Sequence, residues 1–134
     1  MIERVDHIGI AVHALDEALP VWRDLLGMTA HAVEVVEEQK VRVAKLEAGG
    51  DVIELLEPTA EDSPIAKFLA RRGPGIHHVC LEVDDLEATL KRFKDLGMSL
   101  IDESPRIGAG GHRIAFVHPR STQGVLLELS ERMR

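Results

Sequence analysis

Two imidazoles and two carboxylates, His7, Glu54, His78 and Glu128, are the side chains here whose types and spacing could hold a metal ion. Together they offer two nitrogen and two oxygen donors. That set suits a divalent cation of intermediate softness such as Co²⁺, Mn²⁺, Ni²⁺ or Zn²⁺, and the residues alone do not choose among them. It leaves coordination positions for water or for a substrate that binds through two oxygens. Taken singly, each residue has an ordinary explanation. A His at the start of a strand is most often solvated or hydrogen-bonded, and a Glu in an alternating strand most often faces water. Their recurrence at matched places reverses that judgement.

The chain repeats itself. His7-Ile-Gly-Ile-Ala-Val12 matches His78-Val-Cys-Leu-Glu-Val83, and Leu15 and Leu86 follow at equal distance. Arg23-Asp-Leu-Leu-Gly-Met28 matches Lys94-Asp-Leu-Gly-Met98, and Val52-Ile-Glu-Leu-Leu56 matches Leu126-Leu-Glu-Leu129. His78 follows His7 by 71 residues while Gly97 follows Gly27 by 70, so the second copy has lost one residue on the way to its glycine. A whole strand–helix–glycine–strand unit repeated in order is hard to reach by accident.

Each copy reads as a strand, a helix and three further strands. Residues 4–12 alternate and are rich in Ile and Val, as a half-buried strand should be. Residues 15–26 carry Leu15, Leu19, Trp22, Leu25 and Leu26 at helical spacing, with Gly27 placed as a C-cap. Pro20 predicts a first-turn position or a local distortion. Strands are expected near 28–35, 40–48 and 51–57, then near 98–102, 113–118 and 124–130, with the second helix at about 86–96. Between the copies, Ser63 as cap and Pro64 at the first helical position predict a connector helix that Gly73-Pro-Gly75 ends. One domain over 1–134 is expected, with modules at about 1–57 and 76–134 and a connector at 58–75.

Alternation then sorts the faces. Ile8, Ile10 and Val12 share one face of the first strand, and His7, Gly9 and Ala11 the other. Val79, Leu81 and Val83 repeat the apolar face, with His78 in the place of His7. Ile53 and Leu55 flank Glu54, and Leu127 and Leu129 flank Glu128, so both carboxylates point away from the core. Each module therefore supplies one His and one Glu to the open face.

Composition narrows the function classes. A net charge of −7 argues against nucleic acid, whose backbone is bound by dense Lys and Arg. Cys80 is the only cysteine, which removes disulfide frameworks and cysteine-rich zinc sites. The apolar runs are too short to span a bilayer, and Glu3, Arg4 and Asp6 interrupt any signal-peptide pattern, so a cytoplasmic protein is expected.

With Asp6-His7-Ile-Gly-Ile-Ala-Val12, the paired modules resemble the vicinal oxygen chelate superfamily of glyoxalases, bleomycin-resistance proteins and dioxygenases. Within it, the chain is similar over nearly its whole length to the epimerases that act on methylmalonyl-CoA. The segments that carry this are Ile53-Glu-Leu-Leu-Glu-Pro58, Asp62-Ser-Pro-Ile-Ala-Lys-Phe-Leu69 and Gly75-Ile-His-His-Val79. Arg106-Ile-Gly-Ala-Gly-Gly-His112, Phe116-Val-His-Pro119 and Gly124-Val-Leu-Leu-Glu-Leu129 complete the set. The resemblance implies an α+β fold in which two βαβββ modules form a curved eight-stranded mixed sheet around a metal cleft. It places His7, Glu54, His78 and Glu128 on the family's metal positions, the second being Gln in some members. It also implies one divalent ion, with Co²⁺ the first expectation and Mn²⁺, Ni²⁺, Zn²⁺ or Mg²⁺ the alternatives.

The implied reaction interconverts (R)- and (S)-methylmalonyl-CoA by α-proton transfer through a metal-stabilised enolate, with an acyl-CoA substrate and a homodimeric enzyme. Glu128 is the first candidate for base. Several epimerases carry a further Glu on the third strand, where this chain has Val43, and Glu47 lies two same-face positions beyond it. Glu47 reads as solvent-facing, so water or another group is expected to take the second proton-transfer role. Lys67, Arg71, Arg106 and His112 are candidate contacts for the CoA anion, alongside Arg72, Arg113 and Arg120. Three other readings remain: a glyoxalase I-like lyase, an extradiol dioxygenase built on His7, His78 and Glu128, and a non-catalytic resistance or binding protein. Glu54 counts against the dioxygenase, because a fourth protein ligand closes a position that oxygen would need.

Overall fold

Alternating aliphatic residues set the strands. In the computed structural model, which describes residues 1–133, β1 runs Ile2–Ala11, β2 Thr29–Ala30, β3 Glu34–Val36, β4 Val41–Ala48 and β5 Asp51–Pro58. β6 is Gly75–Val83, β7 Arg106–Ile107, β8 Arg113–Val117 and β9 Leu127–Glu131. The helices are α1, Leu15–Leu19, which continues into a π-helical turn at Pro20–Leu25, then α2, Pro64–Arg72, and α3, Leu86–Asp95. The β1–β5 and β6–β9 pairs are parallel and the neighbouring pairs β4–β5 and β8–β9 antiparallel, so the fold is mixed α+β. Eight strands follow one hydrogen-bonded order, β2-β4-β5-β1-β6-β9-β8-β7, and the short β3 adds to β4. Among the described residues no helix is long and apolar enough to cross a membrane.

Packing divides the chain into two compact units, and the division does not follow the repeat. One unit is His7–His77; the other joins Met1–Asp6 to the chain from His78 onward. In the first, Val12, Leu15, Ala44, Leu46 and Leu55 form the core, with Ile10, Trp22, Met28 and Ile53 against it. In the second, Val83, Leu86, Leu90, Ala115, Val117 and Leu129 do so, with Leu81, Phe93 and Leu127 against them. Leu55 and Leu129 are fully buried, each beside a candidate ligand carboxylate. Truncating either to Ala would cost about 2–5 kcal/mol. The leading residues of β1 are tied into the second unit by Arg4–Glu82 at 3.2 Å and Arg132–Glu3 at 3.0 Å.

The helix ends follow their sequence signals. Ser63 Oγ accepts the Ile65 N–H at 3.1 Å with Pro64 at the first position, and Gly73 closes α2 at φ 74°. Pro20 does distort its helix. It has no N–H to give, and the chain passes into i→i+5 bonding, with the Leu26 N–H donating to Val21 O at 2.8 Å.

Three strand expectations need correction. Residues 98–102 form no strand: only Leu100 bridges to Val117, and the Ile101 and Asp102 N–H groups share the Phe116 carbonyl at 2.9 and 3.1 Å. One acceptor serving two successive donors stops the ladder, and pairing with β8 resumes only at Arg106–Ile107. The expected 28–35 strand is two pieces, Thr29–Ala30 and Glu34–Val36, both on β4. The last strand starts at Leu127, because Gln123 at φ 56° and Gly124 at φ 99° first turn the chain.

Candidate metal centre

The parallel pairs place the candidate ligands in the same register twice. Gly9 lies opposite Glu54 on β1–β5, and Cys80 lies opposite Glu128 on β6–β9. In each case the His stands two residues before the partner of the Glu, hence on the same face. His7 Nε2 is 3.4 Å from Glu54 Oε1, and His78 Nε2 is 3.0 Å from Glu128 Oε1. His7, His78 and Glu128 are buried, and the Glu54 side chain is 13% exposed. Buried carboxylates are costly unless paired or coordinated, so these pairings are required and not incidental. Two donors each about 2.1 Å from one ion lie about 3.0 Å apart at a right angle and about 3.4 Å apart at a tetrahedral angle. Each pair is thus already spaced as two ligands of one cation, and the donor chemistry fits a divalent ion.

The surroundings of the two pairs differ. Lys45 of β4 faces Glu54, whereas Phe116 of β8 faces Glu128. Phe116 meets the His78 ring edge to face at 5.9 Å, and the Arg106 guanidinium lies 5.3 Å from the Phe116 centroid. Asp102 accepts the Phe116 N–H at 2.8 Å and stands 3.3 Å from Arg106 Nε. Sequence reasoning passed over Phe116, although alternation put this apolar side chain on the ligand face.

Val43 is buried on the face of Glu54, with no group that could move a proton. Glu47 is partly exposed and lies 2.8 Å from His31 Nε2, whose hydrogen bond, ahead of its charge, holds the Glu47 carboxyl below the usual carboxylate range. Cys80 is fully buried on the His78 face. His77 faces the opposite way and packs against Phe68 at 5.0 Å. His118 Nδ1 accepts the Arg120 N–H at 3.0 Å, a structural role.

Among the candidate CoA contacts, Lys67 and Arg71 are exposed on α2, and Arg72 lies over the Phe68 ring. Arg106 and His112 belong to the other unit, where His112 Nδ1 is 3.5 Å from Ser130 Oγ. Arg113 is committed elsewhere, pairing with Glu87 at 2.5 Å and Glu131 at 3.0 Å. At Gly108 a Cβ would come within 2.7 Å of Ile114 Cδ1, so glycine lets the loop lie on β8 without displacing that side chain.

The paired donors are a candidate ligand cluster for a divalent ion, and comparison with known proteins gives the fold a family. The chain belongs to the glyoxalase/bleomycin resistance protein/dioxygenase superfamily, whose model matches residues 6–116. Several of its relatives inside that superfamily are named as epimerases. It is 38% identical to the ethylmalonyl-CoA/methylmalonyl-CoA epimerase of Cereibacter sphaeroides, over 98% of this chain and 99% of the relative. The crystal structure of methylmalonyl-CoA epimerase from Mycobacterium tuberculosis superposes with a TM-score of 0.94 at 41% identity, covering 99% of this chain and 90% of that one. A methylmalonyl-CoA epimerase in complex with methylmalonyl-CoA and NH4+ superposes at 0.92 and 41%, covering 98% and 95%.

Proposed function

We propose that this chain interconverts (R)- and (S)-methylmalonyl-CoA, using one divalent cation held jointly by His7, Glu54, His78 and Glu128. The observation that carries the proposal is the duplicated His–Glu pair, at 3.4 and 3.0 Å and at matched register, in a chain with several epimerases among its relatives. When bound, such a cation supplies Lewis-acid neutralisation of the charge that develops as the α-proton leaves.

The residues then divide the work. Glu128, buried beside His78, is the carboxylate that takes the α-proton from one face and returns it. Inversion needs a proton carrier on the other face as well. Val43 has no group for this and Glu47 is engaged by His31, so water or another polar group serves there. Burial of the pairs keeps bulk water from competing for the reacting proton. Lys67, Arg71, Arg106 and His112 are assigned to the CoA anion, which an overall charge of −7 would otherwise repel.

The test is proton exchange. In D2O, under anaerobic conditions, the α-proton signal of methylmalonyl-CoA should disappear with the metal-loaded protein, persist with chelator, and disappear again once metal is restored. Glu128→Gln should slow exchange by about 10²–10⁴-fold, the usual worth of a general base. Full exchange by that variant would remove Glu128 from the mechanism, and exchange that needs oxygen would favour the dioxygenase reading.

A further inference from the structure

His78 is held in a way that the repeat does not explain. The residue 71 positions before Phe116 is Lys45, so the aromatic contact with this ligand was not inherited from the duplication. Phe116 meets the imidazole with ring centroids 5.9 Å apart and planes at 89°, an attractive edge-to-face geometry. Its own position is fixed on two further sides. The Arg106 guanidinium lies 5.3 Å from its centroid, within cation–π range, and the Asp102 carboxylate both accepts the Phe116 N–H at 2.8 Å and pairs with Arg106. The Ile101 and Asp102 N–H groups close on the Phe116 carbonyl, so one short segment grips residue 116 through both its backbone and its ring.

His77, on the opposite face of the strand, has a similar arrangement. Its ring is edge-on to Phe68 at 5.0 Å, and Arg72 lies 5.8 Å from that Phe68. A ligand imidazole can be displaced by rotation of its side chain or by a shift of its strand. Phe116 opposes the first motion, and the anchoring of His77 opposes the second.

We infer that Phe116, clamped by Arg106 and Asp102, is a positioning residue that pre-orients His78 for the metal ion. This rests on the metal centre proposed above. Groups that orient a metal-binding imidazole commonly account for about 10–100-fold in metal affinity.

The experiment titrates Co²⁺ into the metal-stripped full chain, reading affinity and the visible ligand-field spectrum. Phe116→Leu keeps an apolar side chain but removes the ring edge. It should weaken Co²⁺ about tenfold or more and alter the spectrum. Arg106→Gln should give a smaller loss of the same kind, and Arg106→Lys, which keeps a cation near the ring, should restore most of it. Phe93→Leu, on α3 and packed in the core on the other face of β8, should lower stability while leaving affinity and spectrum unchanged. If Phe116→Leu fails to fold, the Arg106 pair decides. Wild-type affinity and spectrum in Phe116→Leu, or in Arg106→Gln where that pair decides, would overturn the inference while leaving the metal centre standing. A wild-type chain that binds no Co²⁺ would overturn both.

Discussion

Glu54 and Glu128 occupy equivalent register positions, yet their neighbours differ. Glu54 faces Lys45, whereas Glu128 lies opposite Phe116. In the proposed mechanism the first only binds, and the second both binds and moves a proton. Glu54→Gln, which keeps an oxygen donor, should therefore retain metal with about a tenfold loss of affinity, roughly 1.4 kcal/mol. Glu54→Ala should lose considerably more, and calorimetric titration separates the two. If both variants bind like the wild type, Glu54 is no ligand. At this scale the two His–Glu pairings were legible because two His and two Glu recur in matched contexts. Phe116 was not, because an apolar residue on a strand advertises packing, and only the fold shows that it packs on His78.

The elements repeat more deeply than the ligands do. Glu131, three residues beyond Glu128, accepts the Leu86 N–H at the start of α3 at 2.9 Å and binds Arg113 at 3.0 Å. Glu57, three beyond Glu54, does the same for Leu15 and Arg42, at 3.4 and 3.3 Å. A carboxylate at a helix N-terminus satisfies an orphan donor and complements the dipole, so each closing strand also anchors its module's helix. The shorter bonds predict that Glu131→Gln costs about 1–2 kcal/mol and Glu57→Gln less, read as a fall in denaturation midpoint at unchanged slope. Equal costs would show that distance is not what sets them. The π-helical turn at Pro20–Leu25 also has a sequence counterpart. The first copy carries one residue more than the second before its glycine, and an i→i+5 turn is how a helix absorbs an inserted residue. What stayed hidden was the loss of the 98–102 strand, since the shared Phe116 carbonyl that ends its pairing is a long-range contact.

For the whole molecule, sequence similarity and packing draw different boundaries. The repeat assigns residues 1–57 to the first module, yet Met1–Asp6 pack with the chain from His78 onward. Similarity records descent, while compactness records which strand a segment pairs with, and β1 is used by both units. The succession of strand, helix and further strands in each module was readable from alternation and glycine placement, while the α+β class followed from the family resemblance. How β1 is shared was not, because no local signal encodes it. Two His–Glu pairs in two units admit two outcomes: one shared ion, or two separate weak ones. The proposed function requires the first, so the decisive measurement is metal stoichiometry by titration of the stripped protein, repeated on His7→Ala and His78→Ala. One ion per chain is predicted, with either substitution weakening that same ion. Two ions per chain, each sensitive to only one substitution, would contradict it.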